Sequence, residues 1–433
     1  MKKIFHILVS LSIVCVSVSE VGAQFAFGLY PDMNSTKNQI QIEQKYHFTS
    51  PVVGYIFDTF EESDAIYFRG AVKTLWIDRV YHVSISPFGL TAAEVAQGKY
   101  DEEYRRFFKI VKESGAKFLF RTMHEMNGSW FSWSGDPYNF KRAWEHVYNL
   151  SREAGLDTSN ILFIFSVNYQ DLPSANGDIW GEMIFCTTGE RVTSGCKTFE
   201  DYYPGDKYVD LMGMTLYNWG RGRSESWAHW TSFADLLGNS STNMLGRLSS
   251  YGKSIFLDEV GTTAVDFKGV WTFDKVIAGY EDDFGKKDYW ISMMRQEIKR
   301  YPQIVGALYF NRDKTRGFTI GKTIPWELDW AALSNLTNKE YPAILRFFTD
   351  PDVTPLILPF TGNALKLQEE RLFKQLTREI ERKSYGNAIT RKKLTDRLIL
   401  GLTKKASSLD GDKKNILLNL AERYRMKLVE VGK

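Results

Sequence analysis

Lys117-Phe118-Leu119-Phe120-Arg121-Thr122-Met123-His124-Glu125-Met126-Asn127-Gly128-Ser129-Trp130 changes character halfway along. Its first half is an apolar run of strand type. Its second half brings Arg121, His124, Glu125 and Asn127 together, and Trp130, Phe131 and Trp133 follow at once. The stretch reads as a strand whose C-terminal end opens into a polar pocket walled by aromatic rings. A carboxylic acid in such a place suits proton transfer to a sugar. Rings stack on the apolar face of the sugar, and a wall of low polarity raises the pKa of the acid.

Working outward, the same unit recurs. Glu102 to Ser114 has helical spacing, with Tyr104, Phe107, Phe108 and Val111 on one face and Gly115 as terminator. Phe140 to Ala154 is a second helix, closed by Gly155, and Tyr289 to Lys299 a third. The other short apolar runs are Phe25 to Tyr30, Val52 to Phe57, Val80 to Ile85, Ile161 to Val167, Leu211 to Leu216, Ser254 to Leu257 and Val305 to Phe310. With Lys117 to Arg121 they make eight strands alternating with helices, which places the chain in the α/β class as a (β/α)8 TIM barrel. The competing doubly wound sheet would carry a Gly-rich phosphate loop after its first strand. Gly28-Leu29-Tyr30-Pro31 lacks that spacing, and no cofactor is expected.

Barrel chemistry gathers where strands end at their C-terminal edge. Strand four supplies Arg121, His124 and Glu125, strand five Asn168, strand six Tyr217 and Trp219, and strand seven Glu259. Two glutamates thus face each other across the mouth, the minimum for glycoside hydrolysis. At a separation of roughly 5–5.5 Å one attacks the sugar and the other serves as acid and then base. Glu125, beside the aromatic cluster, takes the acid/base role. Glu259, within reach of Arg121 and the Tyr217 hydroxyl, takes the nucleophile role. Arg121, His124, Trp130, Trp133, Asn168, Tyr217 and Trp219 form the expected substrate-binding set. His124 has Gly128 at i+4 and the chain holds only 6 His, so no metal is expected. His82, alone within a strand, reads as a hydrogen-bonded structural residue.

These residues carry a resemblance. His124-Glu125-Met126-Asn127-Gly128-x-Trp130, Gly98-Lys99-Tyr100-Asp101, Tyr203-Pro204-Gly205-Asp206 and Glu259-Val260-Gly261 together resemble glycoside hydrolase family 26 over roughly Phe25 to Asp350. That family includes β-mannanases, with some β-1,3-xylanases and mixed-linkage β-glucanases. The resemblance implies a barrel of the large retaining-glycosidase clan, Glu125 as acid/base and Glu259 as nucleophile. It also implies sugar contacts at His124 and Trp130, and a Tyr217 hydroxyl bonded to the nucleophile. One departure stands out. Many mannanases of the family end strand three with a Trp-His pair, whereas the comparable stretch here is His82-Val83-Ser84-Ile85-Ser86-Pro87.

The two ends of the chain have other characters. Met1-Lys2-Lys3, the apolar Ile4 to Val18 and the small Val21-Gly22-Ala23 read as a signal peptide over 1–23, and export follows. The apolar run falls short of the roughly 20 residues that a membrane span needs. Of the 3 Cys, Cys15 leaves with the signal, and Cys186 and Cys196 remain as a pair expected to form a disulfide in an oxidising compartment. The barrel is assigned to 24–350 and a proline-punctuated linker to 351–361. Residues 362–433 form a helical extension, with stretches at Ile389 to Leu402 and Asn415 to Val429.

The extension holds 18 Lys and Arg against 9 Asp and Glu, although the whole chain is only +3. Such a surface is either the solvated face of a packed bundle or a contact for an anionic polymer or membrane surface. Nucleic acid is not an expected partner of an exported protein. The 12 Trp, 22 Tyr and 29 Phe fit carbohydrate contact. The sequence therefore points to an exported retaining endo-β-glycosidase acting on a polysaccharide, β-mannan first. β-Glucan, β-xylan or a microbial exopolysaccharide is the alternative substrate, and a non-catalytic carbohydrate-binding barrel the alternative class.

Overall fold

The structure is a computed structural model of the 433-residue chain. It describes residues 25–31, 34–75, 79–128, 130–171, 187–188, 191–192, 197–218, 230–238, 243–262, 284–312, 332, 340–353, 380, 388–407, 418 and 421–425. The expected signal peptide, Cys186, Cys196, Trp219 and most of the linker lie outside these residues.

Eight parallel strands close into a barrel: β1 (Ala26–Leu29), β2 (Val52–Phe57), β3 (Val80–Ile85), β4 (Lys117–Thr122), β5 (Ile161–Asn168), β6 (Leu211–Asn218), β7 (Ile255–Thr262) and β8 (Ile304–Tyr309). Each pairs with its neighbours in sequence, and β8 closes on β1. The expected α/β barrel is the observed one. Its strands read as nearly unbroken apolar runs because both of their faces are covered. All eight residues of β5 are buried, for example. Alternation still sorts the two faces. Phe118 and Phe120 of β4 point outward onto Phe107 of the flanking helix (centroids 6.0 and 5.1 Å), and Arg121 points inward.

Helices wrap the outside: α1 (Thr36–Tyr46), α2 (Glu62–Leu75), α3 (Ala92–Ala96), α4 (Asp101–Ser114) and α5 (Pro137–Glu153). α4 has Asp101, Glu102 and Glu103 in its first turn, where carboxylates complement the helix dipole. It ends on Gly115 at φ 65, a left-handed cap that glycine adopts without strain. A further helix, Phe284–Ile298, precedes β8. Beyond the barrel, Asp350 closes on Arg295 (2.7 Å) and Lys299 (2.8 Å).

Strand boundaries differ most from the sequence reading at two places. β6 runs on to Asn218 and β7 to Thr262, so Tyr217 and Glu259 sit within strands rather than just past them. β7 is also irregular. Met214 pairs with Leu257 and Thr215 with Glu259, while on the other edge Ala307 pairs with Leu257 and Tyr309 with Val260. The strand therefore carries one extra residue, a bulge, at Asp258–Glu259. Leu257 and Val260 belong to the outer core, and the bulge turns both Asp258 and Glu259 inward.

Glycines make room for this interior. A Cβ on Gly54 would collide with the Tyr30 ring, and one on Gly213 with Asp258 Oδ2. The second compact unit lies beyond Leu358. Its described part includes a helix, Ala388–Ala406, which covers the expected Ile389 to Leu402 stretch, and Leu402, Ala406, Ala421 and Tyr424 are buried in it.

Replacing Gly213 by Ala is expected to destabilise the chain by about 1–3 kcal/mol through overpacking against Asp258. The check is the denaturant midpoint of urea unfolding, and an unchanged midpoint would contradict the packing described.

Candidate active site

The site is built on one buried cation. The Arg121 side chain, 0% exposed, crosses the mouth of the barrel. Its Nε donates to Ser84 Oγ on β3 (3.1 Å), its Nη1 to Ser166 Oγ on β5 (3.2 Å) and its Nη2 to Glu259 Oε1 on β7. Four strands are thus tied through one guanidinium. The other oxygen of Glu259 accepts from the Tyr217 hydroxyl. Burial, followed by the charge of Glu125, pushes the Tyr217 phenol well above its ordinary pKa, so it remains a donor.

Glu125 stands on the loop after β4 and has a different set of partners. Its Oε2 accepts from Trp130 Nε1 (2.9 Å), and its Oε1 from Thr215 Oγ and from Asn168 Nδ2 (3.3 Å). These are neutral donors. The indole thus meets the carboxylate edge-on as a hydrogen-bond donor, where the sequence reading had it as an apolar wall and a sugar contact. Thr215 links the two acids. Its hydroxyl touches Glu125, and its Cα pairs with Glu259 on the neighbouring strand.

The loop holding Glu125 is fixed from several sides. Met123 and Glu125 have φ of 45 and 52, a left-handed conformation that non-glycine residues adopt at a cost, and such residues gather at functional sites. The Glu125 amide donates to Ser166 O (2.9 Å), and Trp133 Nε1 donates to His124 O (2.9 Å). Asn127 Nδ2 reaches Asn168 O (3.0 Å) and Asp171 Oδ1 (3.1 Å), while its Oδ1 accepts from the Asn168 amide (2.9 Å). Gly128 is required by a close approach. A Cβ there would lie 2.5 Å from the Trp130 ring, which has to fold back over the loop to meet Glu125.

The structure thus brings together Arg121, His124, Glu125, Trp130, Asn168, Tyr217 and Glu259. Trp133, expected among the sugar-contacting rings, is fully buried. It stacks on Phe131 (4.3 Å) and holds the loop from behind. Arg121 is equally buried and acts on Glu259. Sequence reading missed Thr215, Ser84 and Ser166. Period-two alternation back from Tyr217 points to Thr215, but short hydroxyl side chains within a strand carry no signal of their own.

His82 lies deeper in the barrel. Its Nε2 meets Asp258 Oδ1 at 2.7 Å and its Nδ1 meets the Tyr30 hydroxyl at 2.9 Å, with all three residues 0% exposed. Burial holds His82 below its ordinary pKa despite Asp258. Burial, then the charges of Arg121 and His82, hold His124 well below it. Folded, both imidazoles stay neutral at pH values where the unfolded chain takes up protons, near about 6.5. Stability is therefore complete above that pH and falls as the pH drops through and below it. The slope is at most about 1.4 kcal/mol per pH unit for each histidine. His82→Gln is expected to flatten the fall between pH 7 and 5 in chemical denaturation, and an unchanged slope would contradict neutral burial.

Residues 105–295 match the sequence model of glycosyl hydrolase family 26. Endoglucanase H of Acetivibrio thermocellus is 22% identical over 270 residues, covering 60% of this chain and 24% of that protein. A mannan endo-1,4-beta-mannosidase of Bacillus subtilis is 33% identical over 117 residues, 25% of either chain. This chain thus spans about a quarter of the length of these curated relatives. The catalytic domain of a Bacillus sp. JAMB-750 endo-beta-1,4-mannanase superposes with a TM-score of 0.49 at 16% identity, over 79% of this chain and 90% of that one. The matched residues include both Glu125 and Glu259, and over them the chain is similar to glycosyl hydrolase family 26.

Proposed function

We propose that the chain is an exported endo-β-glycosidase that cleaves a β-linked polysaccharide with retention of configuration, and that β-mannan is its first-choice substrate. The observation that carries this reading is the contrast between the two carboxylates at the barrel mouth. Glu259 is held by a buried cation and a phenol, so its charge is stabilised and its oxygens are oriented. Glu125 is half-buried among neutral donors, open to the cleft and able to exchange a proton.

In the first half-reaction a Glu259 oxygen bonds to the anomeric carbon, the glycosidic C–O bond breaks, and the leaving oxygen takes the proton of Glu125. In the second, Glu125 accepts a proton from water. The water oxygen bonds to the anomeric carbon, and the ester bond to Glu259 breaks. Trp130 and Asn168 orient Glu125, and the half-buried Trp130 and Phe131 rings offer stacking faces to a sugar.

A β-glucan is the alternative substrate, favoured by two observations. β3 ends in Ser84-Ile85 and Ser86-Pro87 follow, with Ser84 engaged by Arg121 and no Trp-His pair at that edge. The endoglucanase match also covers more of this chain than the mannosidase match does.

A panel of soluble mannan, galactomannan, mixed-linkage glucan and β-1,3-xylan tests the reading. Glu125→Ala and Glu259→Ala are each expected to lower product release by more than about 10³-fold. On an aryl glycoside whose leaving group departs unprotonated, added azide should restore turnover to Glu125→Ala by attacking the ester to Glu259, giving a glycosyl azide of retained configuration. If either alanine variant cuts as fast as the parent, the assignment of that residue fails. If the parent binds a polymer and cuts none, the non-catalytic binding protein becomes the reading.

A further inference from the structure

The bulge in β7 places two carboxylates in succession inside the barrel, Glu259 at the mouth and Asp258 beneath it. Asp258 is 0% exposed, and among the described residues its hydrogen-bond partner is His82. Its Oδ2 is buried with no hydrogen-bond partner among the described residues. A buried carboxylate with one neutral donor is costly unless a cation lies near. Arg121, also 0% exposed, reaches the same place: a Cβ on Gly213 would meet Asp258 Oδ2, and Gly213 pairs with Ser166, whose hydroxyl accepts from Arg121 Nη1. Among the described residues, Glu259 is the carboxylate ion-paired with Arg121.

That pairing cannot last through the reaction. This inference rests on the reading of Glu259 as nucleophile. When a Glu259 oxygen bonds to the anomeric carbon and the glycosidic bond breaks, Glu259 becomes a neutral ester. Arg121 then keeps its charge in a place with no access to water and has lost its anion. We propose that Asp258 is the second counter-ion of Arg121, which balances the guanidinium while Glu259 is esterified. Asp258 is then a positioning residue acting through Arg121, and it does not touch the sugar. His82, neutral and donating from Nε2, holds the Asp258 carboxylate in place without cancelling its charge. Tyr30 fixes the ring by donating to Nδ1. The bulge serves both carboxylates, because without it Asp258 and Glu259 would point to opposite faces of the strand.

The test uses the full chain and an activated 2-deoxy-2-fluoro-β-glycoside with a dinitrophenolate leaving group, in the sugar series that the parent accepts. Such a leaving group departs without help from Glu125, so the rate of covalent labelling reports the step at Glu259. Asp258→Asn keeps the shape and removes the charge, and His82→Gln keeps a donor to Asp258 and leaves its charge. Asp258→Asn is expected to fold, because free Arg121 still has Glu259. It should hold KM within about twofold of the parent and label about 10- to 100-fold more slowly. His82→Gln should label within about threefold of the parent.

Labelling of Asp258→Asn at the parental rate overturns the proposal. So does an equal loss in both variants, which would make the role geometric, and so does failure of Asp258→Asn to fold. If the parent is not labelled at Glu259, it is the nucleophile assignment itself that fails.

Discussion

The contact between Arg121 and Glu259 is the constraint around which the barrel mouth is arranged. A guanidinium with no exposed surface must be surrounded by acceptors, and the chain supplies them from three other strands: Ser84, Ser166 and Glu259. Those hydrogen bonds tie β3, β5 and β7 to β4 at the barrel mouth. The cation also selects the state of its neighbours. It helps to keep His124 neutral, and it holds the charge of Glu259 where the Tyr217 phenol can meet the second oxygen.

A barrel strand has two faces, and side chains alternate between them. Glu259 and Asp258 are consecutive, yet both face inward, one to Arg121 and one to His82. The inserted residue in β7 resolves the conflict, and Gly213 and Gly54 resolve the crowding that follows. The Glu125 loop meets a similar conflict with two left-handed residues and Gly128, which together turn a carboxylate back toward the barrel axis and let an indole lie against it. Backbone irregularity thus marks both of the places that present the glutamates.

Much of this was legible in the chain. β2 and β3 were readable to the residue, because apolar runs bounded by polar turns have few other interpretations. Gly115 and Gly155 marked helix ends for a stated steric reason. The two glutamates, Arg121 and Tyr217 were legible because charged and phenolic groups at the ends of apolar strands are conspicuous. The rest was hidden for physical reasons. β6 and β7 appeared to stop early because polar residues inside a barrel mouth look like turn residues in sequence. Thr215 and the two serines are small and common. The partnership of His82 with Asp258 spans 176 positions along the chain, and only the closed barrel brings the two residues together. Trp133 has the same composition signal as Trp130, yet it packs behind the loop while Trp130 faces Glu125.

The central claim is that two carboxylates of unlike surroundings carry out a double displacement at this mouth. The stereochemistry of the first-formed product tests it most directly. Proton NMR, run on the cleavage of whichever polysaccharide the chain accepts, distinguishes the anomers before mutarotation mixes them. The account predicts that the β anomer appears first and the α anomer only later. An α anomer formed first would mean direct attack by water, and would contradict the role given to Glu259.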